Sequence, residues 1–114
     1  MSVIEFEGND VYYTKLYNIR KEKGDLFGSI TSLKSLERSG KKDFFLYYEF
    51  ALNYLKMEYY TQAFDCIFKA FNYANESEKN SLYALLGVAN YKISNQDLAG
   101  YYIQKYLKCI AVIV

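Results

Sequence analysis

The sequence has no histidine, no proline and no tryptophan, and only two cysteines. Without histidine it lacks the side chain that most often moves protons near neutral pH. A cysteine nucleophile would also lack its usual imidazole base. Without proline, nothing forces a helix to kink. Two cysteines are too few for a disulfide scaffold. Cys66 and Cys109 both fall in helical apolar patterns and read as buried, inert thiols. An excess of one charge is missing too: 14 basic residues face 13 acidic ones, for a net charge of +1. That balance offers no electrostatic footprint for nucleic acid or anionic lipid. Arg20-Lys21-Glu22-Lys23 and Lys41-Lys42 are short and read as solvated helix ends. The longest apolar run, Cys109 to Val114, has six residues, against the ~20 of a membrane helix. The acidic start Met1-Ser2-Val3-Ile4-Glu5-Phe6-Glu7 does not read as a secretory leader. A phosphate-binding glycine loop, a dinucleotide fingerprint and zinc-ligand spacing are all missing. The expectations are a soluble, cytoplasmic, non-enzymatic chain with no cofactor, no metal, no nucleic acid and no membrane partner.

What is present is apolar and aromatic. The chain has 114 residues, enough for one domain with a buried core. Hydrophobic residues make up 52% and charged ones 24%, which argues against intrinsic disorder. Fourteen Tyr and eight Phe bring the aromatic share to 19%. Their spacing fits helix packing better than base stacking.

From Asn9 onward the apolar spacing is three and four, the period of a helix. Asn9 or Asp10 can cap a first helix carrying Val11, Tyr13, Leu16, Tyr17 and Ile19, and Gly24 ends it. Asp25 can cap a second helix, with Leu26, Ile30, Leu33 and Leu36 on one face, ending at Gly40. A third runs from Asp43 to about Met57, and a fourth follows the turn at Glu58-Tyr59 as far as about Ala74. Ser77 is the expected cap of a fifth helix to Ile93. Asn95 is the expected cap of a sixth, to about Ile110. Turns this short make neighbouring helices antiparallel. Residues 2 to 7 read as either a short strand or a loose arm.

The helices repeat in pairs. Tyr13, Leu16, Ser29, Leu33 and Leu36 recur 34 residues on as Tyr47, Phe50, Ala63, Ile67 and Ala70. A further 36 residues give Tyr83, Leu86, Ala99, Ile103 and Tyr106. A period near 34 built on a helix-turn-helix unit is the sequence mark of stacked hairpins. Phe50-Ala51-x-x-Tyr54, then Tyr60-x-x-Ala63 and Ala70, with Leu86-Gly87-x-Ala89-x-Tyr91 and Ala99, resemble the tetratricopeptide repeat (TPR) family over residues 10 to 110. Small residues (Ser29, Ala51, Ala63, Gly87, Ala99) would let paired helices approach. Large ones (Phe50, Tyr54, Ile67, Leu86, Ile103) would fill the space between hairpins. Tyr17 departs from the pattern where a small residue is expected. Arg20 and Asn90 depart where an aromatic is expected, Leu36 and Tyr106 replace the usual late alanine, and no unit ends in proline.

The resemblance implies an all-α fold of three stacked antiparallel hairpins in a short right-handed superhelix. The units would be 10–43, 44–79 and 80–110, with an N-terminal arm at 1–9 and an apolar tail at 111–114. It further implies that the first helix of each pair lines a concave groove for a partner's peptide or helix. Helical periodicity then proposes Val11, Thr14, Lys15 and Asn18 from the first unit. The second unit supplies Phe45, Tyr48, Glu49, Leu52 and Leu55, and the third Ala84, Leu85, Val88 and Tyr91. Lys15, Lys56 and Lys92 flank this strip. A soluble monomer rarely leaves so apolar a strip bare. The expected occupant is a protein or peptide segment with apolar or aromatic anchors; the chain's own arm or tail, or a second copy, are the alternatives. One TPR subclass clamps a C-terminal carboxylate. Asn18 alone matches that clamp, whereas Thr14, Glu49, Ser81 and Leu85 hold its other places and Glu49 would repel the ligand. The apolar end at Cys109 to Val114 is no solvating cap; a longer natural chain, a tail that folds back into the groove or pairs as a strand with Val3 to Phe6, and a homodimer interface are the explanations, and the expectation is a homo-oligomer through the C-terminal end or a longer natural chain. The function classes left are an adaptor or chaperone-like scaffold, a peptide-sensing regulatory domain detached from its effector, and a self-assembling structural piece.

Overall fold

The computed structural model describes residues 9–95, 98 and 100–105. The expectations for the arm, for Cys109 and for the tail lie outside those residues. Five helices have defined bounds: α1 (Asn9–Glu22), α2 (Leu26–Arg38), α3 (Phe44–Lys56), α4 (Tyr60–Phe71) and α5 (Glu76–Lys92). Helical conformation resumes at 98 and 100–105, and no strand occurs among the described residues. The fold is all-α.

Side-chain caps set most of the helix starts. The Asp25 carboxylate accepts from the Gly28 amide at 2.9 Å, and Asp43 accepts from Leu46 at 2.9 Å. Each such cap stabilises its helix by about 1 kcal/mol. The start of α5 differs from the sequence expectation. Asn75, not Ser77, is the cap, and it forms a reciprocal box in which Glu78 N–H donates to Asn75 and Asn75 N–H donates to the Glu78 carboxylate. Asn95 receives the Leu98 amide at 3.4 Å at the start of the last helical stretch. Tyr59, ahead of α4, offers no side-chain cap.

The turn inside each hairpin carries the repeat in its backbone. Gly24, Glu58 and Ser94 have φ of 74°, 62° and 66°. They stand 34 and 36 residues apart, the same steps as the side-chain echo. The amide after each returns to a carbonyl five residues back: Asp25 to Arg20, Tyr59 to Tyr54, Asn95 to Asn90. This left-handed stop closes off the orphan carbonyls of the preceding helix. Glycine adopts it freely; Glu58 and Ser94 adopt it against a steric penalty.

The helices pack in chain order. Helix α1 lies on α2, α2 on α3, α3 on α4 and α4 on α5, and α3 also touches α5. Lys105 Nζ sits 4.7 Å from the centre of the Tyr83 ring, bringing the last helical stretch onto α5 as the second arm of a third hairpin. The core runs through the stack, with Leu33, Ala51, Ala63, Ile67, Ala70, Leu82 and Ala89 all fully enclosed. Ser29, Ala51 and Ala63 are enclosed where close helix approach was expected. Ile103 is the exception among the large repeat residues: it is 43% exposed.

Candidate functional site

Helices α1, α3 and α5, the first members of the three hairpins, form one layer. α3 packs against α5 directly, and side chains tie α1 to α3. The α1–α3 tie is a polar cluster in which Tyr17, Glu49 and Asn53 are buried and Lys21 stands at the exposed edge. The Tyr17 hydroxyl donates to Glu49 Oε1, and Lys21 Nζ donates to the same oxygen at 2.9 Å. Asn53 Nδ2 donates to the Tyr17 oxygen at 3.0 Å and to the Glu49 carbonyl at 2.8 Å. The Lys21 ammonium also lies 5.8 Å from the centre of the Tyr17 ring. Burial first, and then the bond to the Glu49 carboxylate, hold the Tyr17 phenol well above its ordinary pKa of 10.0. Two sequence departures find their reasons here. Tyr17 fills the place of a small residue because its hydroxyl has a partner on the next hairpin. Arg20, in place of an aromatic, donates to Gly28 O at 3.1 Å and to Ser32 Oγ at 2.8 Å, joining α1 to α2.

The expected groove residues divide into two groups. Lys15, Asn18, Phe45, Val88 and Tyr91 are exposed, and Tyr48, Leu52 and Ala84 are half-buried. Val88 is 45% exposed and Tyr91 67%, high for large apolar side chains. Val11 is exposed, while the Thr14 hydroxyl is turned back onto the Asp10 carbonyl of its own helix. Glu49, Leu55 and Leu85 are the corrections: all three belong to the buried set, not to an open strip. Glu49 and Leu85 occupy equivalent repeat positions, 36 residues apart. That position turns toward the preceding first helix, so Glu49 meets Tyr17 and Lys21, and Leu85 joins the core. Lys15 holds the same position in the first unit and stays exposed. Leu55 is drawn into the core near the end of α3. Phe45 stands edge-on to Tyr17, ring centres 6.3 Å apart, and Phe44 stacks on Tyr48 at 5.2 Å. The Tyr48 phenol is raised by burial and by the charge of Glu49, which places it beside the polar cluster. Lys15, Lys56 and Lys92 are exposed, and none is in an ion pair among the described residues.

Sequence reasoning missed Tyr17, Lys21 and Asn53 as a unit. Their only signal is polar character on otherwise apolar helix faces, and the partners stand 28 to 36 residues apart.

A second tyrosine–carboxylate bond lies on the other side of α3. The Tyr47 hydroxyl donates to Glu37 of α2 at 2.8 Å. The Tyr47, Tyr48 and Tyr54 phenols, like that of Tyr17, are raised chiefly by burial. The fold therefore retains phenolic protons that the unfolded chain gives up near pH 10. Stability is complete below about pH 10 and falls as pH rises above it. Urea midpoints should be nearly level from about pH 8 to 9 and drop across about pH 10 and 11, and Tyr47→Phe should flatten that drop. An alkaline limb equally steep in Tyr47→Phe would contradict this assignment.

No group of three or more potential metal-ligating side chains occurs among the described residues. None of their helices is long and apolar enough to cross a membrane. A scan against protein-family models, a search of curated proteins and a search of solved structures each returned no match.

Proposed function

We propose that this chain is a TPR-like interaction module that holds a partner's segment, anchored by apolar or aromatic side chains, against the layer formed by α1, α3 and α5. The observation that carries the reading is the set of apolar side chains left open on that layer: Phe45, Val88 and Tyr91, bordered by Tyr48 and Leu52. Stacked hairpins with a common turn geometry at 24, 58 and 94 support the TPR-like part of the reading. The ammonium groups of Lys15, Lys56 and Lys92, in no ion pair among the described residues, suit a segment with acidic residues beside its anchors. The buried Tyr17–Glu49 bond joins the first two hairpins beside this surface. The role is non-catalytic, as an adaptor or chaperone-like scaffold, and a cytoplasmic location belongs to the same reading.

The test is partner capture by the wild type and by variants at open positions. Val88→Glu and Tyr91→Ala should each reduce capture at least about tenfold, as expected for removal of a central apolar anchor. Circular dichroism should show unchanged helicity, because both side chains are exposed. Crosslinks from the captured protein should fall on α3 and α5. Equal capture by both variants, or crosslinks confined to α2 and α4, would remove this surface from consideration.

A further inference from the structure

The two ends of the stack carry opposite halves of one joint. Tyr12, Lys15 and Ile19 recur, by the same steps of 34 and 36, as Leu46, Glu49 and Asn53 and then as Leu82, Leu85 and Ala89. All six later residues are buried, whereas Tyr12 is 61% and Ile19 50% exposed, and Lys15 is exposed as well. The later positions meet the hairpin before them: Glu49 and Asn53 bond to Tyr17, and Glu49 also to Lys21. The first hairpin therefore presents, uncovered, the surface by which the second hairpin docks.

The other end shows the converse. Leu33 and Ile67 are fully enclosed, and α2 and α4, which carry them, each pack on the first helix of the next hairpin. Ile103 holds the same place in the third unit and is open. Tyr91, in the place of Lys21 and of the buried Leu55, is open too, and it also edges the proposed groove. Terminal units of repeat arrays ordinarily turn polar faces outward. Here both ends keep apolar side chains at positions that the interior of the same array encloses. Carried across by the repeat, Lys15 takes the place of Glu49 and Tyr91 that of Lys21. The carboxylate–ammonium pair of the internal joint thus becomes an ammonium against a ring, which is also attractive. The joint between hairpins names the occupant of both ends, because one chain supplies both of its halves.

We propose that copies of this chain stack head to tail, the first hairpin of one on the third hairpin of another, continuing the repeat across the junction. Such a joint pairs two different surfaces, so a dimer formed this way still carries one free half at each end. The junction lies at the ends of the stack and stands or falls independently of partner capture.

Sedimentation of the full chain from about 10 µM to 1 mM should show a mean mass that climbs past the dimer without a plateau, with a step dissociation constant on the order of 0.1 mM for so few anchors. Ile19→Glu and Ile103→Glu each spoil one half, so each variant alone should associate at least about tenfold more weakly. Mixed in equal amounts they should form a dimer and nothing larger, since each retains the half that the other lacks. Both positions are exposed, so the helical spectrum should stay unchanged. Phe68→Ser, at an exposed aromatic of α4 in the middle hairpin, should assemble like the wild type. In the wild type, crosslinks between isotopically light and heavy copies should join α1 of one copy to residues 98–105 of another. A wild type that stays monomeric is the outcome if the arm, the tail or a further hairpin of a longer chain covers these ends. That result, a plateau at the dimer, failure of the two helical variants to pair, or crosslinks joining like ends would each overturn the proposal.

Discussion

Tyr17→Ala should lower the unfolding midpoint by roughly 10 to 20 °C, the largest drop expected from any single truncation near the proposed groove. Tyr17 is fully enclosed, and loss of a buried aromatic ring costs about 3 to 5 kcal/mol. A domain of this size has only about 5 to 15 kcal/mol in total. The same change also strips a donor from the buried Glu49 carboxylate and an acceptor from Asn53. Tyr17→Phe separates the two effects. The ring remains, so the remaining loss of about 1 to 3 kcal/mol reports the stranded polar partners. In a double-mutant cycle, Tyr17→Phe should be far milder on a Glu49→Leu background, because no carboxylate is left to strand. Urea titrations on the four proteins measure this. Additive losses would show that the hydroxyl and the carboxylate are not coupled.

Ala63→Leu should be the second severe change. Ala51 of α3 and Ala63 of α4 are both fully enclosed, and α3 and α4 form the most extensive helix pair of the stack. Three extra carbons leave no volume into which the side chain can turn, so the helices must separate. Overpacking of this kind costs about 1 to 3 kcal/mol. The strain at the tightest seam should also make the unfolding transition broader. Thermal unfolding by circular dichroism, with Thr61→Leu on the exposed face of α4 as control, measures it. A midpoint equal to that of the control would mean that the seam has slack.

The stack was legible because close packing writes itself into spacing. Ser29 and Ala63 must be small where helices touch, and Leu33 and Ile67 must be large where hairpins interlock, so the echo survives even in a degenerate repeat. Gly24 announced its turn through its own chemistry, whereas Glu58 and Ser94 take the same left-handed backbone without glycine and carry no such signal. Asn75 was legible but passed over: Asn-x-x-Glu is a capping box, and Ser77 two residues later merely resembles a cap. Glu49 was placed on an open strip because periodicity assigns a face but not the neighbour across it. Its partners Tyr17 and Lys21 come from the preceding hairpin, and no local pattern reveals a pairing over that separation.

Helix α3 stands apart from its neighbours in one respect. It packs against α2, α4 and α5 and is bonded to α1 through Glu49 and Asn53, so every other defined helix leans on it. In a linear array each unit depends only on the unit beside it. Helix α3 belongs to the middle hairpin, and its contacts outside that hairpin all reach an adjacent one. With a single hairpin on either side, loosening this one rod should uncouple both neighbours at once.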